Sequence, residues 1–262
     1  QAVSRCRSAG VTISVKDIFD QGTVANVASV ARVDEAVLRG DGPAVVQEDE
    51  AVSGIVELTP IQATHLGGNG LSIRFNQGLL LGVSERVDAA SIGRVVHALV
   101  GHHDMLRSRV TQGADGAFSQ EIVAMWNDVA ASSAACLDVV EADGVADVAS
   151  FVEDACERNH GLVDLSTGPA CRFLFLRASD VDGGVHQRLH VSVHHMAIDG
   201  VSWRVFEEDL RASVDAVARG STEIRLPAKT SSFQRWSAGL GAYGQELASS
   251  SEALYWRGVS EL

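Results

Sequence analysis

The stretch from His194 to Gly200 reads HHMAIDG and lies between two segments of different periodicity. Residues 188–193, directly before it, alternate apolar and polar side chains, which is typical of a β-strand. Residues 201–210, directly after it, have the spacing of an amphipathic helix. A strand therefore delivers two histidines to its carboxyl end, where α/β proteins commonly place their chemistry.

The alternation along this strand separates the two histidines. Leu189, Val191 and Val193 share one face, which His195 continues, whereas His194 lies on the opposite face. We therefore expect His195 to face inward, where a neutral imidazole can act as a general base. The spacing alone is equally compatible with a structural histidine pair in which one ring is bonded to a backbone carbonyl.

Asp199 and Gly200 follow where the helix begins. Asp199 stands at the position of an N-cap, and Gly200 allows a tight turn. Free N–H groups at the helix start would favour developing negative charge, which together with a base suits proton transfer or acyl transfer. No metal site is expected, because the four-residue spacing of His186, His190 and His194 gathers ligands on a helix but not on a strand.

Composition excludes several classes of protein. The 262 residues carry a net charge of −13, which argues against nucleic acid and anionic membranes as partners, and the 46% hydrophobic content is enough for a sizeable core. There is no apolar run of membrane-spanning length and no signal peptide. The cysteines form no CxxC pair and indicate reduced residues of a cytoplasmic protein. They are Cys6, Cys136, Cys156 and Cys171.

HHMAIDG resembles the HHxxxDG signature of the condensation-domain superfamily of nonribosomal peptide synthetases. Further segments resemble motifs of that superfamily in the same order. They are LTPIQ (58–62), FNQ (75–77), HHDMLR (102–107), LSTGPACR (165–172) and KTSSFQRW (229–236). The resemblance covers about residues 53–262 and implies an α/β sandwich similar to chloramphenicol acetyltransferase, of which this chain would hold the N-terminal lobe without the second lobe.

Three segments indicate the subtype. LTPIQ, FNQ and DGVSWR (199–204) together are similar to epimerization domains, which invert the α-carbon of a carrier-bound residue. A peptide-forming condensation domain is the alternative, and a non-catalytic lobe that only docks carriers is a third. One departure concerns residues 63–70, which lack the aromatic side chains usual there and put the geometry of the substrate channel in doubt.

The resemblance also implies residue roles. His195 would be the catalytic base, paired with a glutamate from the second lobe, and His194, Asp199 and Gly200 would complete its motif. Asp199 would act structurally, in an arginine salt bridge, with structural support from Arg107 and Trp203. No cofactor would bind the chain directly, since the 4′-phosphopantetheine arm of a carrier domain would deliver the substrate.

The first 33 residues resemble the end of a peptidyl carrier (phosphopantetheine-binding) domain. Helices are predicted at 1–9 and 23–31, with a helical turn at 15–20, and the motif with the attachment serine is absent. The acidic composition of residues 34–52 predicts a linker. The expected partners are a carrier domain, in cis or in trans, and the second lobe.

Strands and helices alternate along residues 53–262. Strands are predicted at 75–83, 137–140 and 169–177, with a hairpin at 107–123. Helices are predicted at 89–102, 148–159, 201–220, 232–239 and 245–256, with Gly241 and Gly244 between the last two. His102 and His103 are predicted as structural residues that close the first of these helices.

Overall fold

The computed structural model describes residues 3, 6, 10–33, 52–70, 75–248 and 250–260. The chain divides into two compact units, Gln1–Gln47 and Glu48–Leu262. The acidic linker predicted at 34–52 lies outside the described residues except for Val52, and most of the helix predicted at 1–9 also lies outside them.

Residues 10–33 of the first unit form two short helices and a two-stranded antiparallel sheet. Its elements are β1 (Val11–Thr12), α1 (Val15–Gln21), α2 (Val24–Val30) and β2 (Arg32–Val33). Ser14 forms a capping box with Asp17 at the start of α1, and the Thr23 side chain accepts the Asn26 amide at 3.2 Å at the start of α2. The helices predicted at 15–20 and 23–31 are therefore confirmed.

The second unit is built around a four-stranded mixed sheet in the order β4-β9-β8-β7. Its strands are β4 (Asn76–Gly82), β7 (Leu137–Val145), β8 (Cys171–Asp180) and β9 (Val185–His194). β9 pairs antiparallel with β4 and β8, and β8 pairs parallel with β7. The histidine strand is thus internal to the sheet, which fixes the position of its carboxyl end from both sides.

A smaller antiparallel sheet has the order β3-β6-β5. Its strands are β3 (Gly54–Val56), β5 (Ser108–Gln112) and β6 (Phe118–Ile122). β5 and β6 form the hairpin predicted at 107–123, with Gly116 in the left-handed region at its turn (φ 83°).

Seven helices belong to the described part of the second unit. They are α3 (Pro60–Asn69), α4 (Ala89–His102), α5 (Val129–Cys136), α6 (Val148–His160), α7 (Ser202–Ala218), α8 (Phe233–Leu247) and α9 (Ser251–Ser260), and a 3₁₀ turn, Asp104–Arg107, follows α4. The main core lies between the sheet and helices α4 and α7. The apolar face predicted for α4 is confirmed, because Ile92, Val95, Val96, Leu99 and Val100 are fully buried. No helix in the described residues is both long and apolar enough to span a bilayer.

The last part of the chain differs from the prediction. Instead of two helices separated by glycines, α8 runs unbroken through Gly239, Gly241 and Gly244 and ends at Leu247, before α9 begins at Ser251. A glycine inside a helix costs only about 1 kcal/mol relative to alanine, so three of them weaken a helix without ending it. Ser232 caps the start of α8 by accepting the Arg235 amide at 3.2 Å.

Candidate active site

His195 lies in the turn that directly follows β9. The strand ends at His194, so His195 lies one residue beyond the strand pleat, and its continuation of the inward face stays a prediction. Its amide donates to the Phe75 carbonyl at 2.8 Å. Its Nδ1 lies 2.8 Å from the Ile198 carbonyl, which can only accept. Nδ1 therefore carries the proton, and Nε2 of this half-buried ring presents the lone pair that a base requires.

The Phe75 ring supports His195. Phe75 and His195 have ring centroids 4.9 Å apart, and Phe75 also stacks on His65 with centroids 4.5 Å apart and planes inclined by 20°. His65 lies on α3, within the segment at 63–70 that lacks the aromatic side chains usual in the family. An imidazole thus takes the place of an aromatic ring beside Phe75, a role that sequence analysis missed.

His194 plays a different part from its neighbour. It is 1% exposed, and its Nδ1 accepts the amide of Met196 at 3.2 Å. Its own amide donates to the Ala170 carbonyl at 2.8 Å. The two adjacent histidines therefore hold opposite tautomers, and His194 braces the turn while His195 presents its nitrogen.

The LTPIQ segment also bonds to the turn that contains His195 and Met196. Thr59 and Gln62 form a capping box at the start of α3, with the Thr59 amide 3.1 Å from Gln62 Oε1. The Gln62 side chain is buried, and its Nε2 donates to the Met196 carbonyl at 3.0 Å. The motif near residue 60 therefore acts on the residue that follows His195.

Asp199 bonds to the backbone of the same turn. Its Oδ1 accepts the amides of Val201 at 3.0 Å and Ser202 at 2.7 Å. These hydrogen bonds, above all the one from Ser202, lower the pKa of the Asp199 carboxyl group. The expected salt bridge between Asp199 and an arginine is not found among the described residues. The Asp199 carboxylate is exposed and accepts the two backbone amides instead.

The start of α7 differs from expectation in another respect. The amides of Val201 and Ser202 bond to Asp199, the Trp203 amide donates to the Asp199 carbonyl, and that of Arg204 to the Val201 carbonyl. The predicted free N–H groups for a developing anion are thus already occupied. Gly200 is exposed and has no positive φ, so the tight turn predicted there does not need a glycine.

Arg107 braces the core as predicted, but its carboxylate partner is Asp104. The guanidinium is fully buried, with NH2 2.9 Å from Asp104 Oδ1 and 2.6 Å from the Val52 carbonyl, and it also donates to the Val100 and Val123 carbonyls. Lys229 Nζ completes the cluster at 2.7 and 2.8 Å from Asp104.

Trp203 supports the site by a hydrogen bond as well as by packing. Its Nε1 donates to Gln77 Oε1 at 2.6 Å and ties α7 to β4, while its ring contacts Phe206 at 5.6 Å. The FNQ and DGVSWR segments, which are far apart in sequence, therefore meet beside the histidine turn.

A polar network lies behind the strand on the face of His194. Ser192 Oγ is 3.0 Å from His160 Nδ1, and His190 Nδ1 is 3.1 Å from Asn159 Oδ1. Burial lowers the pKa of His190 to about 4, so this imidazole is neutral near pH 7. A cavity of about 750 Å³ adjoins the network. Its lining includes Gly78, Leu80, Val152, Cys156, Glu157 and His190.

Comparison with known families agrees with this geometry. The condensation-domain family model matches residues 52–262. This chain belongs to the condensation-domain family. Its fold is accordingly the chloramphenicol acetyltransferase-like α/β fold of the condensation domains of nonribosomal peptide synthetases.

Relatives among curated proteins are much longer. The chain is 31% identical over 257 residues to a linear gramicidin synthase of Brevibacillus parabrevis, covering 98% of this chain and 3% of that protein. It is 29% identical over 263 residues to surfactin synthase subunit 1 of Bacillus subtilis, covering 100% of this chain and 7% of that protein. The condensation-family chain thus spans only a small part of the synthetases that it matches.

Two solved structures have a fold similar to that of this chain. The epimerization domain from the third module of tyrocidine synthetase B matches with a TM-score of 0.67 and 28% identity, covering 81% of this chain and 46% of that one. The first condensation domain of the CDA synthetase matches with a TM-score of 0.55 and 21% identity, covering 79% and 49%. The likeness to the CDA synthetase domain supports the fold alone. In both comparisons this condensation-family chain spans about half of the solved domain.

Proposed function

We propose that this chain is the histidine-bearing lobe of an epimerization domain, which inverts the α-carbon of an aminoacyl or peptidyl thioester held on a carrier. The observation that carries the proposal is the hydrogen bond between His195 Nδ1 and the Ile198 carbonyl, which leaves Nε2 as an acceptor in a half-buried turn. The likeness to an epimerization domain at 28% identity supports the subtype.

The proposed reaction uses His195 for one proton. The bond between the α-carbon and its hydrogen breaks, the proton passes to His195 Nε2, and the electron pair forms an enolate with the thioester carbonyl. A proton then returns to the opposite face of the carbon. One imidazole reaches one face, so we assign the second proton to a glutamate from a second lobe that closes over the turn. His194 and Asp199 hold the turn in place.

The carrier belongs to the same proposal. We assign residues 1–33 to the end of a peptidyl carrier domain, whose 4′-phosphopantetheine arm would bring the thioester to His195. The similarity to the gramicidin and surfactin synthases covers 98% and 100% of this chain and so extends beyond the condensation match at 52–262. That extension supports an origin of the first unit in the same kind of synthetase.

The experiment uses a two-lobed domain that contains this chain and an aminoacyl thioester on a separate carrier. We expect α-hydrogen exchange with heavy water and inversion of the α-carbon, both reduced about 10²–10⁴-fold in His195→Ala because a general base is lost. His194→Ala is the matched control and should reduce the rate less. Exchange by His195→Ala at the wild-type rate would overturn the assignment of the base.

A peptide-forming condensation domain is the second candidate. The family model carries that description, which favours it. The same assay separates the two functions when an aminoacyl acceptor on a second carrier is added. Peptide formation without α-hydrogen exchange would replace the epimerization proposal by the condensation one.

A lobe that only docks carriers is the third candidate. The observation in its favour is that the amides of residues 201–204 are already bonded, which removes one source of oxyanion stabilisation. Tight binding of a loaded carrier, with neither exchange nor peptide formation in the two-lobed protein, would favour it.

A further inference from the structure

A cluster of two histidines and one aspartate connects the end of α4 to the middle of α7. His103 Nε2 lies 3.0 Å from Asp209 Oδ2, and His102 Nε2 lies 3.9 Å from the same oxygen. One ligand atom from each of the three residues lies within 4.8 Å of the others. These residues take no part in the turn around His195.

Hydrogen bonding does not account for the cluster. Asp209 is 5% exposed, yet neither its Oδ2 nor His103 Nε2 makes a hydrogen bond of acceptable geometry with any described residue, although the two atoms are close. A buried carboxylate oxygen without a hydrogen bond is costly, and native proteins rarely leave one so. Together with the His102 nitrogen, both atoms lie close enough to one another for a single cation to bind all three.

The donor set and spacing fit a transition metal. Imidazole nitrogen and carboxylate oxygen are standard zinc ligands at about 2.0–2.2 Å, which places neighbouring ligand atoms of a tetrahedral site roughly 3.4 Å apart. The separations of 3.0 and 3.9 Å lie on either side of that value. Three protein ligands leave one position for water, and both histidines are partly exposed, so the site is open to solvent.

The surroundings also suit a bound cation. Lys229 is the nearby cation, and its charge is balanced by Asp104, which binds it at 2.7 Å. The His103 ring packs against Phe206 with centroids 5.4 Å apart, which fixes its orientation.

We infer that His102, His103 and Asp209 form a binding site for a divalent transition metal ion of the zinc type. The ion ties the carboxyl end of α4 to α7, the two helices that cover the main sheet. This role is structural and independent of the reaction proposed for His195.

The test titrates the untagged chain, freed of metal with a chelator, with Zn²⁺ against a chromophoric competitor and with Co²⁺ by absorption spectroscopy. We expect one ion per chain, and a cobalt spectrum of nitrogen and oxygen ligands without a thiolate band. His103→Ala and Asp209→Asn should each weaken binding at least about tenfold. Zinc at a hundredfold excess over its Kd should raise the melting temperature of the wild type by about 5–10 °C, and not that of these variants.

The control is His186→Ala. His186 Nε2 lies 3.1 Å from Asp180 Oδ2 in a true hydrogen bond, and among the described residues no third ligand completes that pair. This variant should bind zinc like the wild type. Circular dichroism without metal checks folding, and His102→Gln, which removes the third proposed ligand, replaces either variant that fails to fold.

Two results would overturn the inference. One is the absence of a bound ion at micromolar zinc in the wild-type chain. The other is binding that survives in His102→Gln, His103→Ala and Asp209→Asn, which would place the ion elsewhere on the chain.

Discussion

At the scale of single residues, the histidine turn is held by side chains that bond to its backbone. Gln62 bonds to the Met196 carbonyl, His194 to the Met196 amide, and Asp199 to two amides at the start of α7. Each of these side chains forms a hydrogen bond with a backbone N–H or C=O group that would be bonded to another backbone group in a strand or helix. The position of His195 Nε2 therefore depends on several residues that bond to the backbone of the turn around it.

Asp199 is expected to stabilise the fold as a cap, without a buried ion pair. Asp199→Ala should lower the free energy of unfolding by about 0.5–2 kcal/mol, and Asp199→Asn by less, because the amide oxygen still accepts. Since the folded-state pKa is lowered, the difference from wild type should be full at neutral pH and shrink as the pH falls through the carboxyl range. Urea unfolding at several pH values measures it. A loss well above 3 kcal/mol would instead indicate a buried charged partner.

The lowered pKa of His190 leads to a second prediction about how the free energy of unfolding depends on pH. The folded-state pKa is about 4, against about 6.5 in the unfolded chain, so between these values only the unfolded chain binds the extra proton. Stability should therefore be full above about pH 6.5 and fall by about 1–3 kcal/mol as the pH approaches 4. Denaturant unfolding of wild type and His190→Gln over this range checks it. Identical pH profiles for the two proteins would contradict the prediction.

At the scale of elements, sequence analysis succeeded where apolar spacing was strong. The predicted bounds of α4, Ala89–His102, are those observed, because five buried aliphatic residues mark one face. Two helices were missed: α5 is rich in alanine and serine without a clear period, and α3 contains Gly67 and Gly68. β7 was predicted as 137–140 and extends to Val145, because its pairing with β8 continues past a bulge.

The glycines of α8 offer a test of helix propensity. An added Cβ at Gly239 or Gly244 would meet no atom within 4 Å, and neither residue has a positive φ. Gly239→Ala and Gly244→Ala should therefore each stabilise the protein by about 0.5–1 kcal/mol, measured as a rise in melting temperature. Gly241→Ala is the contrasting variant, because its Cβ would lie 2.5 Å from Glu57 Oε2 and that side chain must move. Destabilisation by the first two variants would contradict a continuous helix.

Contacts between distant segments set the limit of sequence analysis at the site. HHMAIDG marked the histidine turn, and Arg107 and Trp203 were predicted as structural supports. Asp104 lies only three residues before Arg107, within the same HHDMLR segment. His65 and Gln62 were not recognised, because they reach the site through tertiary packing that no local pattern encodes. The same holds for Asp209, whose approach to His103 becomes visible only once α7 lies beside α4.

At the scale of the whole molecule, the condensation match covers about half of a solved domain of this family. We expect the 262-residue chain by itself to show no α-hydrogen exchange on a loaded carrier. A half-buried imidazole on one lobe meets water, and preorganised dipoles act strongly only where water is excluded. Mass spectrometry in heavy water measures the exchange. Exchange above the buffer rate that disappears in His195→Ala would prove that one lobe suffices.

The Arg107 cluster has a consequence for where the condensation-family unit can be cut. Val52 is bonded twice to it, by its amide to Asp104 Oδ1 at 3.1 Å and by its carbonyl to the guanidinium at 2.6 Å. Hydrogen bonds to charged groups contribute about 1.5–3 kcal/mol each, and their loss here would leave buried charges short of partners. A junction for module exchange, or a proteolytic cut, placed within the few residues after Val52 would therefore detach the first strand of this unit from the cluster.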